Sequence, residues 1–82
     1  MFTETELGIL RRLLRHKYVG KKHTPIDNVI KGVSSHEKKN AKKAIKNLIK
    51  KGYLIQKQTY HGIDISINTN KLKEIKEALG MT

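Results

Sequence analysis

The chain is 82 residues long and carries 18 Lys and Arg residues against 7 Asp and Glu residues, a formal net charge of +11 at pH 7. This length leaves room for one domain, here residues 1–82, which excludes a multidomain enzyme and disfavours a deep substrate cavity. So large a positive charge opposes folding by self-repulsion unless a polyanion neutralises it. We therefore expect nucleic acid as the partner, with an anionic membrane surface as the weaker alternative.

Composition also bears on location. The chain has no Cys, which excludes disulfides and thiolate zinc sites and favours a reducing cytoplasm. Its longest apolar run is far shorter than the roughly 20 residues of a transmembrane helix, and its first residues lack the basic and apolar regions of a signal peptide. We expect a cytoplasmic protein that does not enter the membrane.

The first predicted helix covers about residues 4–17. Thr3 and Glu6 have the spacing of a capping box, in which both side chains satisfy free backbone N–H groups at a helix start. Apolar residues at helical spacing predict a broad buried face, with three arginines gathered opposite it. These are Arg11, Arg12 and Arg15.

A short second helix is predicted over residues 25–31. Thr24 supplies its start signal, Pro25 takes the first helical position, and Gly32 ends it. Both Pro25 and Gly32 are suited to those places because proline has no N–H to lose and glycine permits a left-handed end.

A longer third helix is predicted over residues 35–51. Ser34 and Glu37 repeat the capping-box spacing, and Gly52 ends the segment. Between them the apolar residues recur at the helical period, which indicates one buried face. They are Ala41, Ala44, Ile45, Leu48 and Ile49.

After Gly52 the apolar period changes from 3.6 to 2, which predicts a β-hairpin over residues 53–68 with Tyr60-His61-Gly62 as its turn. A last helix is predicted over residues 70–79, after capping residues at Asn68 to Asn70. Its narrow apolar stripe packs either on its own domain or on a second copy of the chain, and in the latter case it would form a homodimer. The stripe comprises Leu72, Ile75 and Leu79.

Three helices followed by a hairpin and a fourth helix predict an α+β, mainly α fold with the element order of a winged helix-turn-helix domain. The chain also resembles the small archaeal winged-helix proteins of largely unassigned function, over about residues 5–79. The resemblance rests on His23-Thr24-Pro25, on Asn28-Val29-Ile30-Lys31-Gly32, on Ala41-Lys42-Lys43-Ala44-Ile45-Lys46, on Leu48-Ile49-Lys50-Lys51-Gly52-Tyr53-Leu54, and on Gly62 with Ser66-Ile67-Asn68.

That resemblance implies a third helix in the DNA major groove, a hairpin wing on the DNA backbone or minor groove, and a terminal helix used for dimerisation. The hairpin tip departs from larger winged-helix proteins because it contains no Arg or Lys.

Fourteen of the 18 basic residues lie within residues 10–22 and 31–51. The helical period turns a basic face of the third helix outward, on which lysines suit phosphate oxygens and asparagines suit adenine edges. The candidate nucleic-acid-binding residues on and before this helix are His36, Lys39, Asn40, Lys42, Lys43, Lys46, Asn47 and Lys50. The remaining candidates are Arg11, Arg12, Arg15, Lys21, Lys22, Lys57, Tyr60 and His61.

Each of these features has a plainer interpretation. A lysine-rich surface also keeps a small domain soluble, although such surfaces usually contain interspersed acids. The arginines of the first helix could pair with acids from elsewhere in the fold, since residues 7–26 contain none. Tyrosines more often pack than stack on bases, which we favour for Tyr53 and leave open for Tyr60.

The four histidines lack the short ligand spacing of a zinc motif, so we expect no metal site. No catalytic triad pattern, phosphate-binding glycine loop or paired carboxylates occur, and we expect neither an enzyme nor a cofactor. The sequence thus favours a duplex-DNA-binding protein, a transcriptional regulator or chromosome-associated factor. The alternatives are a protein-interaction module of a nucleic-acid-processing assembly and an RNA-binding protein.

Overall fold

The computed structural model describes residues 1–81, which form an α+β fold of four α-helices and a small three-stranded antiparallel sheet. The helices are α1 (Glu4–Arg15), α2 (Ile26–Ile30), α3 (Lys38–Lys50) and α4 (Leu72–Ala78), and the strands are β1 (Thr24–Pro25), β2 (Leu54–Thr59) and β3 (Gly62–Ile67). Short 3₁₀ turns at Ser35–Glu37 and Thr69–Lys71 lead into α3 and α4. Over this range, none of the helices has the length and apolarity needed to cross a membrane.

The sheet has the strand order β1-β3-β2, so the hairpin strand β3 lies in the middle. The hairpin pairs Leu54 with Ile67 at its base and Thr59 with Gly62 at its tip. Only Tyr60 and His61 therefore form the turn, and Gly62, predicted as a turn residue, already belongs to β3. Directly opposed residues share a face, so Leu54, Ile65 and Ile67 face the core together.

Strand β1 was not predicted. Thr24 pairs with Ile65 and Pro25 with Asp64, so the expected helix start at Thr24 is wrong and α2 begins at Ile26. An edge strand tolerates proline because its missing N–H faces away from the ladder. The Thr24 hydroxyl instead accepts a hydrogen bond from the Asn28 side chain at 3.0 Å. The pairing of β1 with β3 therefore holds the start of α2 against the hairpin.

One apolar core lies between the helices and the sheet. Leu10 and Leu13 of α1, Ile45 and Leu48 of α3, and Ile75 of α4 are almost completely inaccessible to solvent. Leu72 and Leu79 pack against the same cluster, so the stripe of α4 packs on its own domain, one of the two arrangements its sequence allowed. The homodimer stays a prediction, but the stripe of α4 is not its interface, because the stripe is packed within the domain.

Helices α1, α3 and α4 end in Schellman motifs, in which two backbone N–H groups beyond the helix bond back to its last carbonyls. In α3 and α4 the left-handed residue is a glycine, Gly52 or Gly80. In α1 it is Lys17, with φ of 60°, and the N–H groups of Lys17 and Tyr18 bond to the carbonyls of Leu14 and Leu13. This left-handed residue ends α1 at Arg15, two residues before the predicted end.

The two predicted capping boxes differ in outcome. At α1 the box is confirmed: the Glu6 N–H donates to the Thr3 hydroxyl at 3.1 Å, and the Thr3 N–H donates to the Glu6 carboxylate at 2.8 Å. At Ser34 the box is wrong, because no side-chain capping bond forms there. The Glu37 N–H bonds to the Ser34 carbonyl in a 3₁₀ turn, and α3 begins only at Lys38.

Candidate nucleic-acid interface

The outer surface of α3 is the most basic surface of the fold. Burial of Ala41, Ala44, Ile45 and Leu48 fixes the rotation of the helix about its axis. The opposite surface is thereby turned to solvent, as the helical period predicted. Every candidate residue on it is exposed: Lys39, Asn40, Lys42, Lys43, Lys46, Asn47 and Lys50, with His36 in the preceding turn.

In the part of the chain that the structure describes, the lysines of this surface have no acidic partners. Within residues 1–81 the ion-pair contacts are those of His23 with Asp64 and of His36 with Glu37, and neither involves a lysine or an arginine. The pairing that the sequence left open for Arg11, Arg12 and Arg15 therefore does not occur in this part of the chain. The positive charge faces solvent without local compensation, which leaves it free to attract an anionic partner.

A groove separates α3 from the β-hairpin, and we call it the hairpin groove. Lys42 and Lys46 of α3 form one wall, and Gln56 and His61 of the hairpin form the other. Its volume is about 460 Å³, and Asp27 of α2 lies at its edge. The groove has an apolar floor, formed by Ile26, Ile45, Ile49 and Ile63. The tertiary fold thus brings His61, from the hairpin tip, to the lysines of α3.

A second groove lies between α1 and the connection from α2 to α3. We call it the arginine groove, because Arg11, Arg12 and Arg15 all line it. Its volume is about 390 Å³, and Glu37, at the start of α3, lines it as well. Of the sixteen candidate residues, three therefore line the arginine groove and three line the hairpin groove.

Ten candidate residues lie outside both grooves. Six of them belong to the α3 surface and its preceding turn, namely His36, Lys39, Asn40, Lys43, Asn47 and Lys50, and the other four lie elsewhere in the fold. Lys57 lies opposite Asp64 on the sheet face away from the core, because it alternates with Gln56 along β2. Lys21 and Lys22 lie in the exposed loop after α1, where the Lys22 ammonium is 5.5 Å from the centre of the Tyr18 ring. Tyr60 projects from the hairpin turn and is fully exposed. None of these last four residues belongs to the α3 surface.

The two asparagines lie on one flank of α3. At about 100° per residue, Asn47 follows Lys46 around the helix, and Asn40 lies close to the angle of Asn47. Both therefore point away from the hairpin groove, which lies on the side of Lys42 and Lys46. The exposed surface of α3 consists of a lysine side next to the hairpin and an amide flank beyond it.

Most residues of the hairpin groove were not among the candidates from the sequence, including Gln56, Ile63 and Asp27. Gln56 and Ile63 reach it because strand pairing places them on the core face of the hairpin, beyond the end of the core. The sequence signal was the alternation of side chains along β2, which places Leu54 and Gln56 on the same face of the strand. Asp27 reaches the groove through the pairing of β1 with β3, which nothing in the sequence indicated.

His23 and Tyr53 each contact residues that are distant in the sequence. His23 Nδ1 lies 2.6 Å from Asp64 Oδ2, and among the residues described no three His, Asp or Glu side chains gather as a metal site would require. The Tyr53 ring packs edge-on against Phe2, with centroids 4.7 Å apart. Its hydroxyl donates to Glu74, and this bond, desolvation and the carboxylate charge raise the pKa of Tyr53 above 10.0. Tyr53 is thus a packing residue, as favoured from the sequence.

Comparison with known proteins adds no relative: no family model, curated protein or solved structure matches this chain.

Proposed function

We propose that this protein is a winged helix-turn-helix protein that binds duplex DNA, as a transcriptional regulator or chromosome-associated factor. The order α1-α2-α3-hairpin, with the hairpin starting just after α3, supports the winged-helix assignment. The pairing of β1 with β3 supports it further, because a third strand holds the hairpin beside the helices.

The observation that carries the proposal is the cationic surface of α3, whose lysines form no ion pair within residues 1–81. At about 1.5 Å per residue, thirteen residues make a helix of about 20 Å, which can lie in a major groove about 12 Å wide. A surface that served only solubility would have acids among its lysines. Here Glu37 is the only acid of residues 35–51, and it lies at one end.

We assign different roles to the two kinds of side chain on α3. Lys39, Lys43, Lys46 and Lys50 contact phosphates, since an ammonium on a flexible stem suits a phosphate oxygen and carries no sequence information. Asn40 and Asn47 read bases, since an amide can both donate to and accept from adenine. Through His61 and Lys42, the hairpin groove lies against the neighbouring stretch of the DNA backbone.

The test is fluorescence anisotropy with a labelled DNA duplex, an RNA hairpin of the same sequence and a single strand, each at 50, 100 and 200 mM salt. About six phosphate contacts predict roughly a thousandfold loss of affinity for the duplex over this range. Lys43→Glu is compared with Lys73→Glu, which makes the same charge change at an exposed position of α4, away from the α3 surface. Only Lys43→Glu should abolish binding.

Three results would contradict the proposal. Equal weakening by both substitutions would show that net charge, not the α3 surface, drives binding. Preference for the RNA hairpin would point to RNA, whose deep and narrow major groove does not admit a helix. Negligible binding at 50 mM salt, together with capture of an acidic protein through the same lysines, would favour the protein-interaction alternative.

A further inference from the structure

The arginine groove contains features that binding of a DNA backbone does not require. Gly8, Arg11, Arg12 and Arg15 follow one another on α1 at positions i, i+3, i+4 and i+7, so they form one flank of the helix. All four line the groove, with Gly8 leaving a gap one turn before the guanidinium groups.

The charges of this flank repel one another. Arg11 and Arg15 are four residues apart and Arg12 and Arg15 three, spacings at which side chains on a helix are neighbours and like charges destabilise it. Glu37 on the opposite wall forms no ion pair with any of them. An anion bound between the guanidinium groups would remove this repulsion.

The floor of the groove is apolar and has open space above it. Ile9, Val29, Val33 and Ala41 contribute to the lining. Glycine is less favourable than alanine inside a helix such as α1, yet a Cβ at Gly8 would meet nothing within 4 Å. A Cβ on Gly32, across the groove, would have only the Arg12 guanidinium for a neighbour, at 3.4 Å or more. No packing constraint in the fold explains glycine at position 8, whereas a ligand resting there would.

We propose that the arginine groove binds a small organic oxyanion, in which an apolar body carries one phosphate monoester or carboxylate group. The oxyanion lies between the arginines, whose planar guanidinium groups match its geometry, and the body covers the apolar floor and Gly8. A volume of about 390 Å³ lies within the range of small-ligand sites. A DNA backbone, by contrast, would leave this recessed floor without a partner. The site is independent of the proposed function and would stand if DNA binding failed.

The experiment is isothermal titration calorimetry of the full chain with 1-naphthyl phosphate, which has both parts of the ligand. Inorganic phosphate supplies the charge alone, and 1-naphthol supplies the apolar body alone. Binding of 1-naphthyl phosphate at least tenfold tighter than either is expected. Equal binding of phosphate would indicate surface cations only, and equal binding of 1-naphthol an apolar surface only, and either result would overturn the proposal.

Three variants locate the site. Arg12→Gln and Arg15→Gln should each weaken binding about tenfold or more, since each removes a charge-assisted hydrogen bond. Glu37→Gln should strengthen it by removing a nearby negative charge. Gly8→Leu should block the groove while α1 is retained, because leucine has the higher helix propensity, and circular dichroism checks its fold.

Lys42→Gln/Lys46→Gln is the matched control, because it removes two cations from the hairpin groove instead. It should leave the affinity for 1-naphthyl phosphate unchanged. Weakening by this control comparable to that of the arginine variants would overturn the proposal. So would unchanged binding in folded Gly8→Leu, or displacement of the ligand by an equimolar DNA duplex, which would assign the groove to the DNA surface.

Discussion

His23 and Asp64 are joined across 41 residues of sequence by a 2.6 Å contact between Nδ1 and Oδ2. His23 ends the loop after α1, and Asp64 lies on the central strand β3, where 12% of its side chain is exposed. The contact fixes this loop against the sheet, next to the pairing of β1 with β3.

Asp64→Ala should lower the free energy of unfolding by about 1.5–3 kcal/mol, because a bond involving a charged and largely buried group is lost. Urea denaturation at constant pH measures the change. His36→Ala is the control, since its contact with Glu37 is 3.9 Å long and exposed, and it should change stability by less than about 0.5 kcal/mol. Additive effects of Asp64→Ala and His23→Ala in the double variant would show that the contact contributes nothing.

Thr3→Ala should destabilise the chain by about 0.5–2 kcal/mol through loss of the capping box of α1. Ser34→Ala is a matched substitution at a position with the same sequence pattern but no side-chain capping bond. Its effect should be close to zero. Thermal unfolding followed by circular dichroism compares the two, and similar losses would disprove the difference between these helix starts.

Lys17→Gly should stabilise the chain, because Lys17 holds a left-handed conformation that costs a non-glycine residue about 1–2 kcal/mol. Part of this gain is offset by the greater freedom of glycine in the unfolded chain, so we expect a net gain below about 1 kcal/mol. Chemical denaturation measures it. The control is Lys21→Gly, at an exposed position without a positive φ. This substitution should leave the free energy of unfolding unchanged or lower it.

Glu74→Gln should lower the pKa of Tyr53 towards its ordinary value, since the hydrogen bond and charge that raise it come from Glu74. Ultraviolet titration at 295 nm in a Tyr18→Phe/Tyr60→Phe background isolates this tyrosine. The folded chain holds the Tyr53 proton more tightly than the unfolded chain. Its contribution to stability is therefore complete below pH 10 and is lost as pH rises through the raised pKa. Glu77→Gln should leave the titration unchanged.

Asn47→Ala and Lys43→Ala should affect DNA binding in different ways. If Asn47 reads a base, its loss should reduce discrimination between sequences by about 1–3 kcal/mol without altering the salt dependence. Loss of Lys43 should weaken binding to all duplexes alike and reduce the salt slope by about one. Anisotropy titrations with several duplexes separate the two effects, and identical behaviour would contradict the assigned roles.

The elements with strong local signals could be predicted from the sequence. The capping box at Thr3, the apolar periods of α1 and α3, and the glycine after α3 are properties of neighbouring residues, and all appear in the structure. Local signals failed where an alternative bond was available. Thr24 pairs in a strand instead of starting a helix, and Lys17 takes the place that glycine usually occupies at a helix end.

The candidate site, too, could be predicted from the sequence only in part. Exposure of the lysines and asparagines of α3 followed from helical periodicity, because burial of Ala41, Ala44 and Leu48 determines the opposite face. That the arginines have no acidic partner among the described residues could not be known from one helix, since pairing across a fold depends on which surfaces meet.

Length, charge and apolar period were enough to predict a small basic α+β chain with a cationic third helix. The meeting of His61 with Lys42 and Lys46 in one groove, the lining of the other groove by three arginines and the burial of Ile75 within its own domain all depend on the packing of the whole chain. Helical and strand periods act over only a few residues. Grooves, by contrast, arise from long-range strand pairing and helix packing, whose partners local sequence does not specify.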